Sequence, residues 1–257
     1  MTFASRMTRC PDPFDPDHGA EARACLPEFS GQVSDLIAGA GGCSPYLKGL
    51  IEAERDWLAG ALDDPEAAVE AVLADLPDTA PEHMAKALRG AKRRIALLTA
   101  LADLGGVWPL ETVTETLTRL ADMAVSLAIR TTVGAEIRRG KLPGAGAEDA
   151  ETGGGMVALA MGKMGAFELN YSSDIDLVCL FDETRFSRDD FHDARASLVR
   201  ATRRMAAMLS DMTAEGYVFR TDLRLRPDPS VTPVCMAMAR AEAYYESLGR
   251  TWERAAY

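Results

Sequence analysis

The chain has 257 residues, 47% of them apolar and 26% charged, the balance of an ordinary globule that can bury a core without disulfide help. Its 28 Lys and Arg against 39 Asp and Glu leave a net charge of −11, which argues against stable non-specific nucleic-acid binding, since that needs a basic face. No apolar run of about eighteen residues is present to span a bilayer, and no apolar stretch follows the basic start at Met1–Cys10 to make a secretory signal.

Five cysteines (Cys10, Cys25, Cys43, Cys179 and Cys235) are scattered, odd in number and without a C-x-x-C pair. That pattern points to a reducing cytoplasm rather than a disulfide framework or a zinc site. His18, His83 and His192 are isolated, so any metal site must be built from carboxylates.

Residues 1–43 are rich in Pro, Asp and Gly, as in Pro11–Asp17 and Gly39–Gly42, and read as a loose leader with one short helix near Glu28–Ala38. Ser44-Pro45 is a helix start, with proline in the first turn. From there to Arg139 the apolar residues recur at helical spacing: Leu88, Ala91, Ile95, Leu98 and Ala102 form one stripe. Val113, Leu117, Leu120, Ala124, Leu127 and Ala128 form a second. Trp108-Pro109 separates them, because proline disfavours helix in the residue before it. Two amphipathic helices packed in a bundle are expected over 44–148.

Lys141–Ala147 and Glu151–Gly155 then break the pattern as a linker or surface loop. Met156–Met161 and Ile175–Phe181 are short apolar runs that predict buried strands. A helix is expected over 188–215, its stripe of Phe191, Ala194, Leu198, Ala201, Met205, Met208 and Met212 serving the core, with Gly216 ending it. Arg200, Arg203 and Arg204, opposite that stripe, read as a solvated face, or else as a dock for an acidic partner. Tyr217–Leu225 alternates and predicts a third strand; 227–233 reads as a loop and Cys235–Leu248 as helix. The second half is therefore α+β with a small sheet, giving a second domain over 149–235 and the start of a further helical region, cut short, over 236–257.

Chemistry concentrates in Gly162–Asp176. Asp174 and Asp176 are two apart at a strand start, so both carboxylates share one face while Ile175 turns to the other. Such a pair repels unless a cation lies between, and Mg²⁺, which prefers hard oxygen ligands and shares them with phosphates, is the fitting ion. Alternation on the third strand puts Asp222, Arg224 and Arg226 together, where a third carboxylate completes a two-metal site and two arginines hold phosphate oxygens by forked hydrogen bonds. An isolated D-x-D is common at solvated strand ends, Gly162-Lys163 alone is only a turn and not a P-loop, and Asp222 with its arginines alone is a surface ladder. The order strand, Gly turn, two aspartates, helix, third aspartate is what points to nucleotidyl transfer, provided the three carboxylates converge.

Gly162-Lys-Met-Gly-Ala-Phe-Glu-Leu-Asn-Tyr-Ser-Ser-Asp-Ile-Asp-Leu177 resembles the signature of bacterial glutamine synthetase adenylyltransferase/adenylyl-removing enzymes, within the DNA polymerase beta-like nucleotidyltransferase superfamily. Asp222–Pro227, Tyr244-Tyr245 and Gly249–Arg254 resemble its later elements, and Ser44–Leu47 through Ala121-Asp122 its earlier ones. Ala166 stands where the family commonly has the last glycine of G-K-x-G-G, and Pro229, Val231 and Thr232 follow a strand after which small residues are usual. The resemblance implies a helical bundle ahead of a polymerase-beta-like domain with a small mixed sheet. It implies two Mg²⁺ ions on Asp174, Asp176 and Asp222 as metal and catalytic residues, with Gly162, Lys163, Ser172, Ser173, Arg224 and Arg226 binding phosphate or substrate.

Family members carry two such units in one much longer chain, one removing AMP from a tyrosine of glutamine synthetase and one adding it. Trp252-Glu-Arg254 looks like the amino-terminal, AMP-removing copy, and the chain stops inside that element, as a fragment would. The implied activity is phosphorolysis that releases ADP, in nitrogen-assimilation control. Glutamine synthetase, phosphate, ADP and ATP are the implied partners, and PII signal proteins act through parts absent here. Adenylyl transfer from ATP, a superfamily enzyme acting on RNA or a small molecule, and a non-catalytic docking module are the alternatives.

Overall fold

The computed structural model describes residues 2–249. The chain forms two compact units: Met1–Asp78 with Arg89–Leu120, and Thr79–Leu88 with Ala121–Tyr257. It passes from one unit to the other after Asp78 and again within each of two long helices.

The first unit is helical. It contains α1 (Phe3–Arg6), α2 (Pro16–Ala24), α3 (Gly31–Cys43), α4 (Pro45–Ala61), α5 (Pro65–Asp75), most of α6 (Met84–Leu104) and the start of α7 (Leu110–Arg138). Three of these helices open on an acid or serine followed by proline. The Asp15 carboxylate accepts from the Asp17 and His18 N–H groups at 3.0 Å, Ser44 Oγ from Leu47 N–H at 3.2 Å, and Asp64 from Ala67 N–H at 3.0 Å. Each cap satisfies donors that have no partner in the first turn, while proline supplies a ready φ.

The loose leader is a misreading. Residues 2–43 contain three helices, with Phe3, Leu36 and Ile37 of the helices and Leu26 of the α2–α3 connection fully buried. The Gly39–Gly42 run, expected as punctuation, lies inside α3: a methyl group at Gly39 would collide with the Pro11 carbonyl, and one at Gly42 with Pro13. These glycines let backbone approach backbone rather than breaking the helix. Both apolar stripes of α6 and α7 are buried as expected, and no helix among the described residues is long and apolar enough to cross a membrane.

In the second unit β1 (Met156–Met161) leads through α8 (Gly162–Gly165) to β2 (Ile175–Phe181), its antiparallel partner along the full length. Helix α9 (Phe191–Ser210) follows and buries Ala194, Leu198, Ala201, Met205 and Leu209; Met212 lies beyond its end and is exposed. Two short strands, β3 (Thr221–Asp222) and β4 (Cys235–Ala237), then pair in parallel with the start and the end of β2, and α10 (Met238–Ser247) closes the described chain. The fold is thus α+β with a four-stranded mixed sheet.

Three local expectations are corrected. The third strand is two residues long, because the Asp222 carboxylate accepts from Arg224 N–H at 2.8 Å and turns the chain. Cys235–Ala237 is strand, not helix. Gly216 does not end α9; at φ +83° it closes a tight turn with Thr213, six residues after the helix has stopped.

Candidate functional site

The site is assembled by β2 and its neighbours. Ile175, fully buried, anchors the strand and leaves Asp174 and Asp176 on the opposite side. The C-terminal end of α9 then fixes the third element. Leu209 O accepts from the Val218 and Phe219 N–H groups at 2.9 and 3.0 Å, Ser210 Oγ donates to Phe219 O, and Ile175 N–H donates to Arg220 O at 2.8 Å. That clamp sets Asp222 directly beside Asp176 in the parallel register.

Asp174, Asp176 and Asp222 each offer a carboxylate oxygen, and the three lie within 4.8 Å of one another. Asp174 is exposed and the other two are half-buried. Burial pushes the Asp176 carboxyl up, and the charges of Asp174 and Asp222 push it further. Asp222 is held down by its forked hydrogen bonds from Arg224, with Nε at 3.0 and 2.8 Å and Nη2 completing the fork. One guanidinium is thus hydrogen-bonded within a set of three carboxylates, with Arg226 adding a weaker positive influence on Asp222. Such a set of hard oxygen donors with unneutralised charge can hold a divalent metal ion.

Gly162, at φ +55°, turns the chain against this cluster: a methyl group there would come to 3.4 Å from the Asp176 carboxylate. The register pairs Met161 with Asp176, so the turn sits at the same end of the sheet. Lys163 is exposed on the next residue. Ala166 takes an ordinary right-handed conformation, and the left-handed one falls on Phe167, where Glu168 N–H donates to Lys163 O at 2.8 Å to finish α8. Ser172 is exposed and Ser173 half-buried; the Ser172 carbonyl accepts from Arg220, and Ser173 N–H donates to Asn170 O at 3.1 Å. Neither serine hydroxyl has a protein partner among the described residues.

Asp222, Arg224 and Arg226 do not share one strand face. Arg224 lies beyond the end of β3 with its side chain 83% exposed. Arg226 turns inward, its guanidinium donating to the carbonyls of Leu223, Pro229 and Thr232 at 2.6, 2.9 and 3.3 Å. It stitches the 227–233 loop together, and Asp228 adopts φ +39° within that loop.

The sequence reading also missed Glu136. This α7 residue is only 1% exposed, and its carboxylate accepts from Arg204 at 2.8 Å, from Arg200 at 2.8 and 3.0 Å, and from Arg139 at 3.3 Å. Arg200 and Arg204 are therefore tied to a buried acid rather than forming a merely solvated face. No local pattern signals the cluster, because its partners stand 64 and 68 residues apart.

A sequence model of the glutamate-ammonia ligase adenylyltransferase (GlnE) family matches residues 29–257. Similar proteins include two named bifunctional glutamine synthetase adenylyltransferase/adenylyl-removing enzyme. That of a Bradyrhizobium species is 43% identical over 94% of this chain and 25% of its own length, and that of Caulobacter vibrioides is 39% identical over 99% and 27%. A third of the same name, from Xanthobacter autotrophicus, is 44% identical over 83% and 22%. The chain spans about a quarter of the length of these curated relatives. The Trp252-Glu-Arg254 element lies outside the described residues. With nearly the whole sequence matched and three aspartates converging beside a glycine turn, this chain belongs to the glutamate-ammonia ligase adenylyltransferase family.

Proposed function

We propose that this chain is a nucleotidyltransferase that removes AMP from the adenylylated tyrosine of glutamine synthetase by phosphorolysis, releasing ADP and the unmodified enzyme. The convergence of Asp174, Asp176 and Asp222 beside the Gly162 turn carries the reading. The likeness of Trp252-Glu-Arg254 to the AMP-removing copy supports the direction, and the names of the relatives support the substrate.

Inorganic phosphate is anionic near neutrality and scarcely needs a base. The harder task is bringing it to an anionic phosphodiester. Asp174, Asp176 and Asp222 would hold divalent cations, Mg²⁺ in this reading. Bound there, they supply charge neutralisation for both phosphoryl groups and for the leaving tyrosine oxygen. Lys163 binds phosphate oxygens as a point charge from the turn that flanks Asp176. The hydroxyls of Ser172 and Ser173 are free to donate to the same oxygens. Arg224 keeps Asp222 ionised and, being largely exposed, presents its remaining N–H donors to substrate. Arg226 positions the loop rather than binding phosphate.

Incubation with adenylylated glutamine synthetase, Mg²⁺ and phosphate should yield ADP, and omission of phosphate should abolish it. Pyrophosphate release from ATP with unmodified glutamine synthetase, and no ADP from the adenylylated form, would assign the reverse transfer to this chain instead. A thermal upshift with Mg²⁺ that disappears in Asp174→Asn tests the metal assignment without any turnover.

A further inference from the structure

A second charged site lies at the other end of α9. The carboxylate cluster is clamped to the last turn of that helix, at Leu209 and Ser210, whereas Asp193, Ala196 and Arg200 belong to its first half. From Ala196 to Ser210 is about 20 Å of helix. There a cleft of about 290 Å³ is lined by Arg139, Lys141, Arg200 and Asp193, with the Gly140 backbone and Pro143 completing it.

Charge in this cleft is unbalanced. Glu136 is saturated: Oε1 takes Arg139 and Arg204, and Oε2 takes two N–H groups of Arg200 and the Ser197 hydroxyl. Lys141 and Asp193 are exposed, and the side chain of neither makes an ion pair among the described residues. Three cations and one carboxylate line the cleft, an excess of two positive charges in a chain whose net charge is −11. Glu136 also fixes the guanidinium groups. Arg200 keeps its second terminal nitrogen, Arg139 keeps two of its three nitrogens, and Lys141 keeps all three N–H donors for a ligand. Donors held in place before binding lose little freedom on binding. At about 290 Å³ the cleft stands at the lower edge of the range for ligand pockets, with room for a small anion.

We propose that this cleft is a second anion site, holding a small doubly charged oxyanion between Lys141 and the guanidinium groups of Arg139 and Arg200, apart from the three-aspartate cluster. It stands independently of the reaction assigned to the aspartates. Phosphate and a short dicarboxylate present the same paired oxygens to these donors, and only a comparison of the two distinguishes the sources.

The test is amide chemical-shift titration of the 257-residue chain with inorganic phosphate, sulfate and malonate, in Mg²⁺-free buffer with chelator. Saturable shifts should centre on Gly140, Lys141 and Ala196. Lys141→Ala should weaken binding about tenfold, the loss of one close charge contact. Asp193→Asn should strengthen it several-fold, and Asp174→Asn should leave it unchanged. Neither the Lys141 nor the Asp193 side chain makes a hydrogen bond or ion pair among the described residues, so both variants should fold and remain readable. Phosphate and sulfate binding tighter than malonate would identify a tetrahedral ligand, and the reverse a dicarboxylate. Absence of saturation at tens of millimolar of every anion, shifts centred on residues 162–176, or affinity indifferent to Lys141→Ala would each overturn the proposal.

Discussion

The second unit uses clustered carboxylates in two opposite ways. Glu136 is buried, single and surrounded by three guanidinium groups, so its charge is fully neutralised by fixed partners. Asp174, Asp176 and Asp222 are three charges within reach of one another, with one ion-paired arginine, Arg224, among the described residues and Arg226 a weaker influence. In the first case the protein has provided its own cations and the cluster holds elements together: Arg200 and Arg204 of α9 are tied to α7. In the second it has not, and burial, reinforced by repulsion from Asp174 and Asp222, raises the Asp176 carboxyl. An acidic cluster left short of positive charge is one prepared for a cation from solution, whereas a balanced one is scaffolding.

Substitutions at the two clusters should therefore part company. The largest effect is expected at Asp176→Asn, which should lower turnover by on the order of a thousandfold, since charge stabilisation at a phosphoryl centre rests on these ligands. Its effect on folding has the opposite sign. A carboxyl whose folded value is raised destabilises the native state as it ionises, so at neutral pH the Asn variant should melt no lower than the parent, and slightly higher. A variant that loses activity only by melting early would erase the distinction. Next, Glu136→Gln should cost about 2–4 kcal/mol of stability, read by denaturant midpoint, because it leaves three arginines facing an uncharged amide. Their partial exposure places the value toward the low end.

Arg224→Ala tests the intermediate element, the one fixed cation among the aspartates. Without it, Asp222 loses the hydrogen bonds that hold its carboxyl down and the cluster becomes more negative. The Mg²⁺-free protein should melt slightly lower, and the thermal upshift on adding Mg²⁺ should grow. A smaller upshift would mean that Arg224 helps to build the metal site instead of competing within it.

What the sequence made legible follows the range of the forces involved. The stripes of α6 and α7 and the run of β2 are local patterns, since burial of one face or of a whole strand imprints a period on neighbouring residues; β1 forms where its run predicts but is not the buried strand expected, for Val157 and Leu159 are exposed. Asp174 and Asp176 were legible for the same reason. The nine residues from Tyr217 alternate as a strand does, but the Asp222 side chain competes for the backbone and ends β3 after two residues. That turn removed Arg226 from the site and left Arg224 on Asp222 itself. Glycines at 39–42 carry the same letters whether they break a helix or admit a neighbouring chain, and only the approach of Pro11 and Pro13 decides between them. Glu136 is one glutamate among many in a helix; its partners on α9 are adjacent in space alone.

A simpler case lies in the first unit, where Glu66 meets one cation. Glu66 accepts from Arg6 Nη1 at 2.9 Å and Nη2 at 2.5 Å, and from the buried Trp108 indole N–H at 2.7 Å. The Arg6 hydrogen bond above all, with Trp108, holds the Glu66 carboxyl down to about 2. Because the folded value lies below the ordinary one near 4.5, the interaction contributes in full above that pH and is lost as pH falls from there toward 2. The Glu66 side chain is 48% exposed, so water screens the pair and its contribution is held to about 1 kcal/mol. Stability measured at pH 7 and at pH 3 should therefore fall less steeply in Glu66→Gln than in the parent, by about that amount. Equal slopes would mean that a half-exposed pair contributes nothing, and that a carboxylate must be buried as deeply as Glu136 before its cations matter to the fold.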